Sequence, residues 1–509
     1  MVKWLSLVVG IFSFWVVSSY SLLEIQSEGY RGKPSLKRLI LDILLIIPFT
    51  IIFYLSRRYV PQLEYLTIVI LLLISVYLLI NYLKKRVRFK YTPRGLRLAI
   101  PCFTVGLALI ITSTFLTQYH SILVIAVILF GDNLVYLVNA SISPFERKRN
   151  YNYVKKGSVA LRDNAIIKVV ITGSYGKTSC KRILTEILKS RYQVIGTLKN
   201  YNTPMGLLKS IENHKATIDN RENVSKTLLF IGEVGARRKG DVKEMCTLIN
   251  PTYGIITGVC AQHLKSFGSM ENIVSTKEEL ANYVGINGVM VFNGENRYSL
   301  EMSKRFLGKS IVVGDAGQVT LSNLKMNLGG STFILHTQIG DIPLKTKLIG
   351  RHNVVNVALC VALAIELGVE RNEIIDAVEE VDFEPHRLEV KDIGGIVVLD
   401  DGYNGNVEGV KSALELLEKE DGRKIIYAQG VVECGKSQKK INKDVGLRLG
   451  KVADEVILSG VNAKAIERGL KESGFEGKIH KFSSITHATE GLKHILKQGD
   501  ILYLQNDIP

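Results

Sequence analysis

The sequence predicts an α/β protein behind a membrane anchor: transmembrane helices over 1–150, a P-loop central domain over 151–384 and a Rossmann-like C-terminal domain over 385–509. Three observations carry this. The first 140 residues hold five long apolar stretches whose connecting loops alternate in positive charge. A strand-like run, Ile166 to Ile171, then meets the glycine-bracketed turn Gly173-Ser174-Tyr175-Gly176-Lys177-Thr178 ahead of a helix-period segment. From about Tyr151 onward, short apolar runs alternate with helical patterns, as a doubly wound fold requires.

The apolar stretches are Trp4–Leu23, Leu39–Leu55, Tyr65–Leu83, Leu98–Leu116 and Ile122–Ala140, each near the length that crosses a bilayer. The second is short and the last carries Asp132, so four or five spans are expected. Arg31, Lys33, Lys37 and Arg38 enrich the first loop, while the second has only Arg57 and Arg58. The third holds Lys84, Lys85, Arg86, Arg88, Lys90, Arg94 and Arg97; the fourth, Thr117 to Ser121, has no basic residue. Lysine and arginine are retained on the cytoplasmic side, which places the N-terminus outside and everything after Ala140 in the cytoplasm of a multi-pass membrane protein. A cleaved signal peptide after Met1-Val2-Lys3 is the competing reading, but it would export a nucleotide-binding half. Asp132 is read as lying near a helix end or a break beside Gly131, with a functional intramembrane carboxylate as the alternative.

The turn at 173–178 follows a strand and opens a helix with Ile183, Leu184, Ile187 and Leu188 on one face. Gly173 and Gly176 let backbone N–H groups approach phosphate oxygens, and the helix N-terminus adds its dipole. Lys177 supplies a point charge, and the Thr178 hydroxyl stands where a phosphate-bound Mg²⁺ would sit. The usual spacing would place a glycine six residues before the lysine; here that residue is Ile171. ATP or GTP is the expected ligand.

Further strand-like runs are Thr227–Ile231, Tyr253–Thr257, Val289–Phe292, Ile396–Leu399, Lys424–Ala428, Glu455–Leu458 and Ile501–Leu504, with helical patterns between them such as Val354–Leu367 and Val407–Glu418. Pro385 interrupts the chain between a helical pattern and a new strand, so the two α/β domains are divided near Asp382–Pro385. The net charge of +17 sits largely in clusters flanking the apolar stretches, which argues against a nucleic-acid partner. The six cysteines (102, 180, 246, 260, 360 and 434) form no CxxC pair or zinc-ribbon spacing and read as reduced thiols.

After the phosphate cradle come Asn200-Tyr201-Asn202-Thr203-Pro204-Met205-Gly206, Glu233-Val234-Gly235, Ala261-Gln262-His263-Leu264 and Thr276-Lys277-Glu278-Glu279. Gly350-Arg351-His352-Asn353 with Asn356, Arg387, and Asp400-Asp401-Gly402-Tyr403-Asn404-Gly405-Asn406 complete the series. In this order, from about Ala165 to the end, the chain resembles the Mur ligase family, and within it the branch that joins D-alanyl-D-alanine to UDP-N-acetylmuramoyl-tripeptide. The resemblance implies an ATP-dependent, Mg²⁺-assisted ligase that phosphorylates a carboxylate and lets an amine displace the phosphate.

The resemblance also implies roles. Gly173, Ser174, Gly176, Lys177 and Thr178 would hold the phosphates, with Lys177 and Arg387 on the transferring group. Thr178, Glu233, His263 and Lys277 would face the metals, Lys277 as a carbamate; the residues alone leave it open whether Lys277 is a surface charge beside Glu278 and Glu279. Asn353 and Asn356, near His352, would reach the adenine, though asparagines here could equally cap a helix. Asp401 would bind the ribose hydroxyls. Asn200, Asn202 and Thr203 would approach the acid substrate, and Asn404 and Asn406 the incoming amine.

This chain departs from the branch in three places. Apolar stretches occupy the space where a soluble UDP-sugar-binding domain is usual, Lys265 stands where glutamate is frequent, and Val407 where proline is frequent. The expected substrates are therefore a peptidoglycan-precursor-like carboxylate, UDP-linked or lipid-linked, and an amino acid or dipeptide amine, with membrane lipid as the anchor's surroundings. A synthetase of another polymer, of poly-γ-glutamate type, is the alternative within the same chemistry. A membrane transporter or sensor with a nucleotide-binding domain, and a silent scaffold, are the alternatives outside it.

Overall fold

The computed structural model describes residues 2–27, 29–30, 40, 44, 51, 63–84, 89–116, 120–223, 225–403, 405–432 and 434–505. Its contacts separate into two units, Met1–Asn152 and Tyr153–Pro509.

The first unit is helical: Val2–Ser27, Leu63–Lys84, Pro93–Leu116, His120–Leu129 and Gly131–Gly157, the last running past the unit boundary. Among the described residues two helices, Lys3–Ser27 and Pro93–Phe115, are long and apolar enough to cross a membrane, and Ile68–Leu83 is a shorter apolar segment. Five were expected. The stretch Leu39–Leu55 lies almost wholly outside the described residues, and Ile122–Ala140 is not one helix. It breaks at Phe130 into a ten-residue apolar helix and a 27-residue helix with Asp132 in its first turn. Asp132, next to that break, is buried and accepts a hydrogen bond from Ser21.

The second unit begins with a parallel sheet. Its strands are β1 (Ile167–Thr172), β2 (Gln193–Gly196), β3 (Leu228–Val234), β4 (Tyr253–Ile256), β5 (Val289–Asn293) and β6 (Lys309–Val313), in spatial order β2-β3-β1-β4-β5-β6. A parallel sheet covered by helices on both faces needs apolar residues on both sides of each strand. β3 meets that requirement: Leu228 through Val234 are all buried. After β1 the chain crosses left to β2, whereas after β3 it crosses right to β4. Right-handed crossovers put the two connecting helices on opposite faces, which opens a crevice at the carboxyl ends of β1 and β3. Both predicted phosphate-side elements, the 173–178 turn and Glu233, emerge there.

A small antiparallel sheet follows, β7 (Thr320–Asn327), β8 (Gly330–Thr337) and β9 (Gly340–Thr346), then the helix Arg351–Glu366, buried along most of its length against the first sheet and the helix Lys177–Leu188. The second large sheet holds β10 (Glu389–Ile393), β11 (Ile396–Asp401), β12 (Lys424–Ala428), β13 (Glu455–Leu458), β14 (Lys478–Lys481) and β15 (Ile501–Gln505), ordered β10-β11-β15-β12-β13-β14. Only β10 runs antiparallel to its neighbour. Each face of this sheet carries its own apolar core.

Candidate active site

The turn after β1 has the backbone a phosphate cradle needs. Gly176 has φ 73°, a left-handed conformation that costs an L-residue about 1–2 kcal/mol. A Cβ on it would lie 2.6 Å from Asn356 Oδ1, and one on Gly173 would collide with the Thr257 hydroxyl. Lys177 opens the following helix, its Nζ donating to the carbonyls of Gly173 at 2.8 Å and Ser174 at 3.4 Å. Burial lowers its pKa, and Glu233 opposes that shift.

Glu233 is the penultimate residue of the buried run of β3, with 1% of its surface exposed. Its Oε1 accepts from the Thr178 hydroxyl at 3.2 Å and from Asn202 Nδ2 at 3.5 Å. Among the described residues Oε2 has no hydrogen-bond partner, although the Lys181 ammonium lies 3.1 Å away as an ion pair. From the turn just before β10, Arg387 Nη2 donates to Thr178 Oγ1 at 3.2 Å, and its guanidinium lies 4.9 Å from the centre of the Tyr403 ring. The Tyr403 hydroxyl in turn accepts from Asn200. These side chains enclose a polar cavity of about 60 Å³, also lined by Ser174, Gln262 and Asn406.

Arg387 is aimed by an unusual backbone. The residues on either side, His386 (φ 60°) and Leu388 (φ 54°), are both left-handed without being glycine. His386 is held by Asp400 through an Nδ1–Oδ2 contact of 2.7 Å, and Leu388 is fully buried.

Other predicted residues lie nearby but outside this lining. His263 is half-buried in a left-handed conformation (φ 56°) at the start of the short helix Leu264–Phe267; its neighbour Gln262 reaches the cavity instead. Lys277 is no surface charge. It is buried on the helix Met270–Val284, where burial first, and then the charge of Lys177, pull its pKa down to about 7. Glu278 pairs with Arg305, and Glu279 accepts from the amides of Gly240 and Lys243. Thr203 caps the helix Pro204–Asn213 by accepting from Gly206 N at 3.3 Å. Asn406, while lining the cavity, caps the helix Val407–Leu417. Asn404 lies outside the described residues.

Asn353 and Asn356 are buried beneath the cradle. Asn353 Nδ2 donates to Ile349 O at 3.0 Å, and Asn356 shares contacts with Asn353 and the Cys180 thiol. Beside them opens a larger cleft of about 660 Å³, lined by His352, Val355, Tyr175, Asn293, Asn296 and Tyr298 among others. Burial lowers the His352 pKa to about 4, so a neutral imidazole faces the cleft. Asp401 lines neither cavity. It is buried near Tyr503 OH (3.5 Å), and burial pushes its pKa up to about 7.

Sequence reasoning passed over Lys181, Tyr175, Gln262, Asn293 and Asn296. Lys181 was legible in principle, because one helical turn after Lys177 it shares that residue's face. Asn293 ends β5 and Asn296 caps the next helix, and only the folded sheet brings either to the cleft.

With this geometry in view, residues 171–364 match the Mur ligase middle domain and residues 386–505 match the Mur ligase glutamate ligase domain. The chain belongs to the Mur ligase family. Among relatives, the UDP-N-acetylmuramoyl-tripeptide–D-alanyl-D-alanine ligase of Haemophilus influenzae is 26% identical over 307 residues, 58% of this chain and 64% of that one. The chain therefore spans somewhat less than two thirds of that Mur ligase. The ligase of the same name from Mycobacterium tuberculosis is 29% identical over 256 residues, 48% of each chain. In fold, this Mur ligase superposes on MurF of Acinetobacter baumannii with a TM-score of 0.63 at 22% identity, covering 70% of this chain and 77% of that one. Thermotoga maritima MurF, solved with ADP, gives 0.60 at 23% identity, covering 70% and 80%.

Proposed function

We propose that this chain is an ATP-dependent ligase that forms an amide bond through an acyl phosphate, adding D-alanyl-D-alanine or an amino acid to a peptidoglycan-precursor-like peptide. In this reading the N-terminal helices hold it in the cell membrane with both α/β domains, divided near 384/385, on the cytoplasmic side. The observation that carries the proposal is the convergence of Lys177, Thr178, Glu233, Asn202 and Arg387 from two sheets on one small polar cavity in a Mur ligase fold. A transporter's regulatory domain or a scaffold has no need of that convergence.

The residues present suit the expected ligands. A hydroxyl and a carboxylate whose Oε2 lacks a hydrogen bond are the hard oxygen donors Mg²⁺ prefers, so Thr178 and Glu233 would hold it. Bound there, the ion neutralises charge on the phosphate oxygens. The glycine turn and the helix N-terminus bind the β- and γ-phosphates, and Lys177 exchanges its two loop carbonyls for phosphate oxygens. Arg387 clamps the transferring group from the other domain, which makes the arrangement complete only when the domains are together. A carboxylate oxygen of the acid attacks the γ-phosphorus and ADP leaves. The amine nitrogen then attacks the acyl carbon, and inorganic phosphate departs with an oxygen from the acid. The 660 Å³ cleft beside His352 is the expected nucleoside pocket, its neutral imidazole offering a ring face rather than a charge. Lys277, near neutrality in its pKa, would have the free amine that carbamylation requires. His263 would join the second metal, and Asp401 the ribose, only after local rearrangement.

The test follows the oxygen. With detergent-solubilised protein, ATP and a panel of ¹⁸O-carboxylates and D- or L-amines, the label is expected in the released phosphate. Turnover with unlabelled phosphate would sink the proposal. If L-glutamate is the amine that stimulates release, the poly-γ-glutamate-type reading replaces the peptidoglycan one.

A further inference from the structure

Glu233 has a cation at its side to which the chemistry above gives no task. Lys181 lies one turn beyond Lys177 on the helix Lys177–Leu188, and its Nζ stands 3.1 Å from Glu233 Oε2. The pair is withdrawn from solvent: the lysine side chain is 11% exposed and the glutamate is buried. Two other cations at the cavity are engaged elsewhere. Lys177 donates to the carbonyls of Gly173 and Ser174, and Arg387 to the Thr178 hydroxyl. A carboxylate this deeply buried needs an opposite charge beside it, and Lys181 supplies that charge.

The ammonium neutralises Glu233 without aiming a proton at it. Its directed hydrogen bond goes to the carbonyl of Lys199, a left-handed residue (φ 46°), whereas Oε2 accepts no hydrogen bond among the described residues. Oε1, by contrast, is tied to the Thr178 hydroxyl and to Asn202. The lone pairs of Oε2 thus stay open to a hard divalent ion, with an ammonium beside them. Mg²⁺ sits about 2.1 Å from a carboxylate oxygen, so an ion on Oε2 and an unmoved Lys181 ammonium would be at most about 5 Å apart. Like charges that close in a buried site repel strongly, and one of them has to leave. The lysine is able to, because its charge rides on a flexible stem. Phosphate oxygens arriving with the ion would give the displaced ammonium a new partner, whereas an ion arriving alone would give it none.

We propose that Lys181 is the resident counter-ion of Glu233 and a competitor of the divalent ion, so that the site takes the metal together with nucleotide phosphates and disfavours the metal alone. The inference rests on the reading of Thr178 and Glu233 as metal ligands, but its test needs no turnover.

The experiment is Mn²⁺ binding to the full chain in detergent, read from the electron paramagnetic resonance of the free ion. Without nucleotide, Lys181→Met is expected to bind Mn²⁺ about tenfold more tightly than the parent, while Lys181→Arg, which keeps the charge, binds it as weakly as the parent. With a saturating non-hydrolysable ATP analogue, Lys181→Met and the parent should bind the ion alike. In a Glu233→Gln background the gain from Lys181→Met should vanish, which a lysine that merely braces the Lys199 turn would not produce. Lys181→Gln, neutral but still able to donate to Lys199 O, is measured in parallel and carries the test if the methionine variant does not fold. Mn²⁺ affinity that is unchanged or weaker in the neutral variants overturns the inference, as does a gain that survives Glu233→Gln or the analogue. Such a result alongside transfer of acid oxygen to phosphate would leave the ligase reading standing. Competition that holds where no acid-derived oxygen reaches phosphate would overturn the ligase reading alone.

Discussion

Lys177 and Glu233 have opposite charges and separate duties. In the proposed reading the lysine grips phosphate; the glutamate is a buried carboxylate with one oxygen lacking a hydrogen bond among the described residues. Lys177→Ala and Glu233→Ala are each expected to reduce phosphate release to background. Asp132→Asn, in the first unit beside a helix break, is expected to leave it nearly intact. Activity surviving either of the first two changes would refute the assignment. Lys277 permits a sharper test through its protonation. Its pKa is near 10.4 in an unfolded chain and about 7 in the fold, so between these values the unfolded state binds more protons. Stability therefore rises with pH across that window, and the cost of the buried ammonium is fully present below pH 7. Lys277→Met should melt higher than the parent at pH 6.5, with the gap shrinking towards pH 10; melts in parallel buffers read this directly. A gap that widens with pH would contradict the burial described here.

At the scale of elements, the legible parts are those where one local rule governs. β1, β3, β12 and β15 announce themselves as apolar runs because strands buried on both faces need apolar residues at every position. β7, whose burial alternates and whose exposed face carries Lys325, has no such run, and β8, its antiparallel partner, and β9 beyond it have none either. β2 and β14 are four residues long and half polar, so their pairing with β3 and β13 depends on tertiary context. The cradle and Glu233 were readable as motif chemistry. That Asn353 and Asn356 lie beneath the cradle was not, because a helix-start asparagine looks the same whether it faces a ligand or a loop. Several site asparagines and threonines also cap helices. Asn406 accepts from the amides of Glu408 and Gly409, so Asn406→Ala should cost about 1 kcal/mol of stability in addition to any effect on turnover. Denaturant titration of the purified variant measures the first effect and phosphate release the second. Unchanged stability would mean the cap contributes nothing.

Over the whole molecule, the second unit joins the sheet that carries the glycine turn to a second sheet flanked by Arg387 and Tyr403. Arg387→Ala is expected to lower the rate of phosphate release at saturating substrate by at least a hundredfold, while affinity for an ATP analogue changes little, because the cradle belongs to the first sheet alone. A comparable loss in nucleotide affinity would show that the guanidinium serves ground-state binding instead. In the first unit, two helices among the described residues have the length and composition to cross a bilayer.

The paired left-handed residues around Arg387 have a consequence for release. Two non-glycine residues outside their preferred basin amount to about 2–4 kcal/mol of backbone tension, retained by the buried Leu388 side chain and the His386–Asp400 contact. Relaxing two φ angles would swing the guanidinium off Thr178 without unwinding any helix or unzipping any strand. The same tension that points the arginine inward thus favours its withdrawal, and spent nucleotide can depart by the rotation of a few bonds.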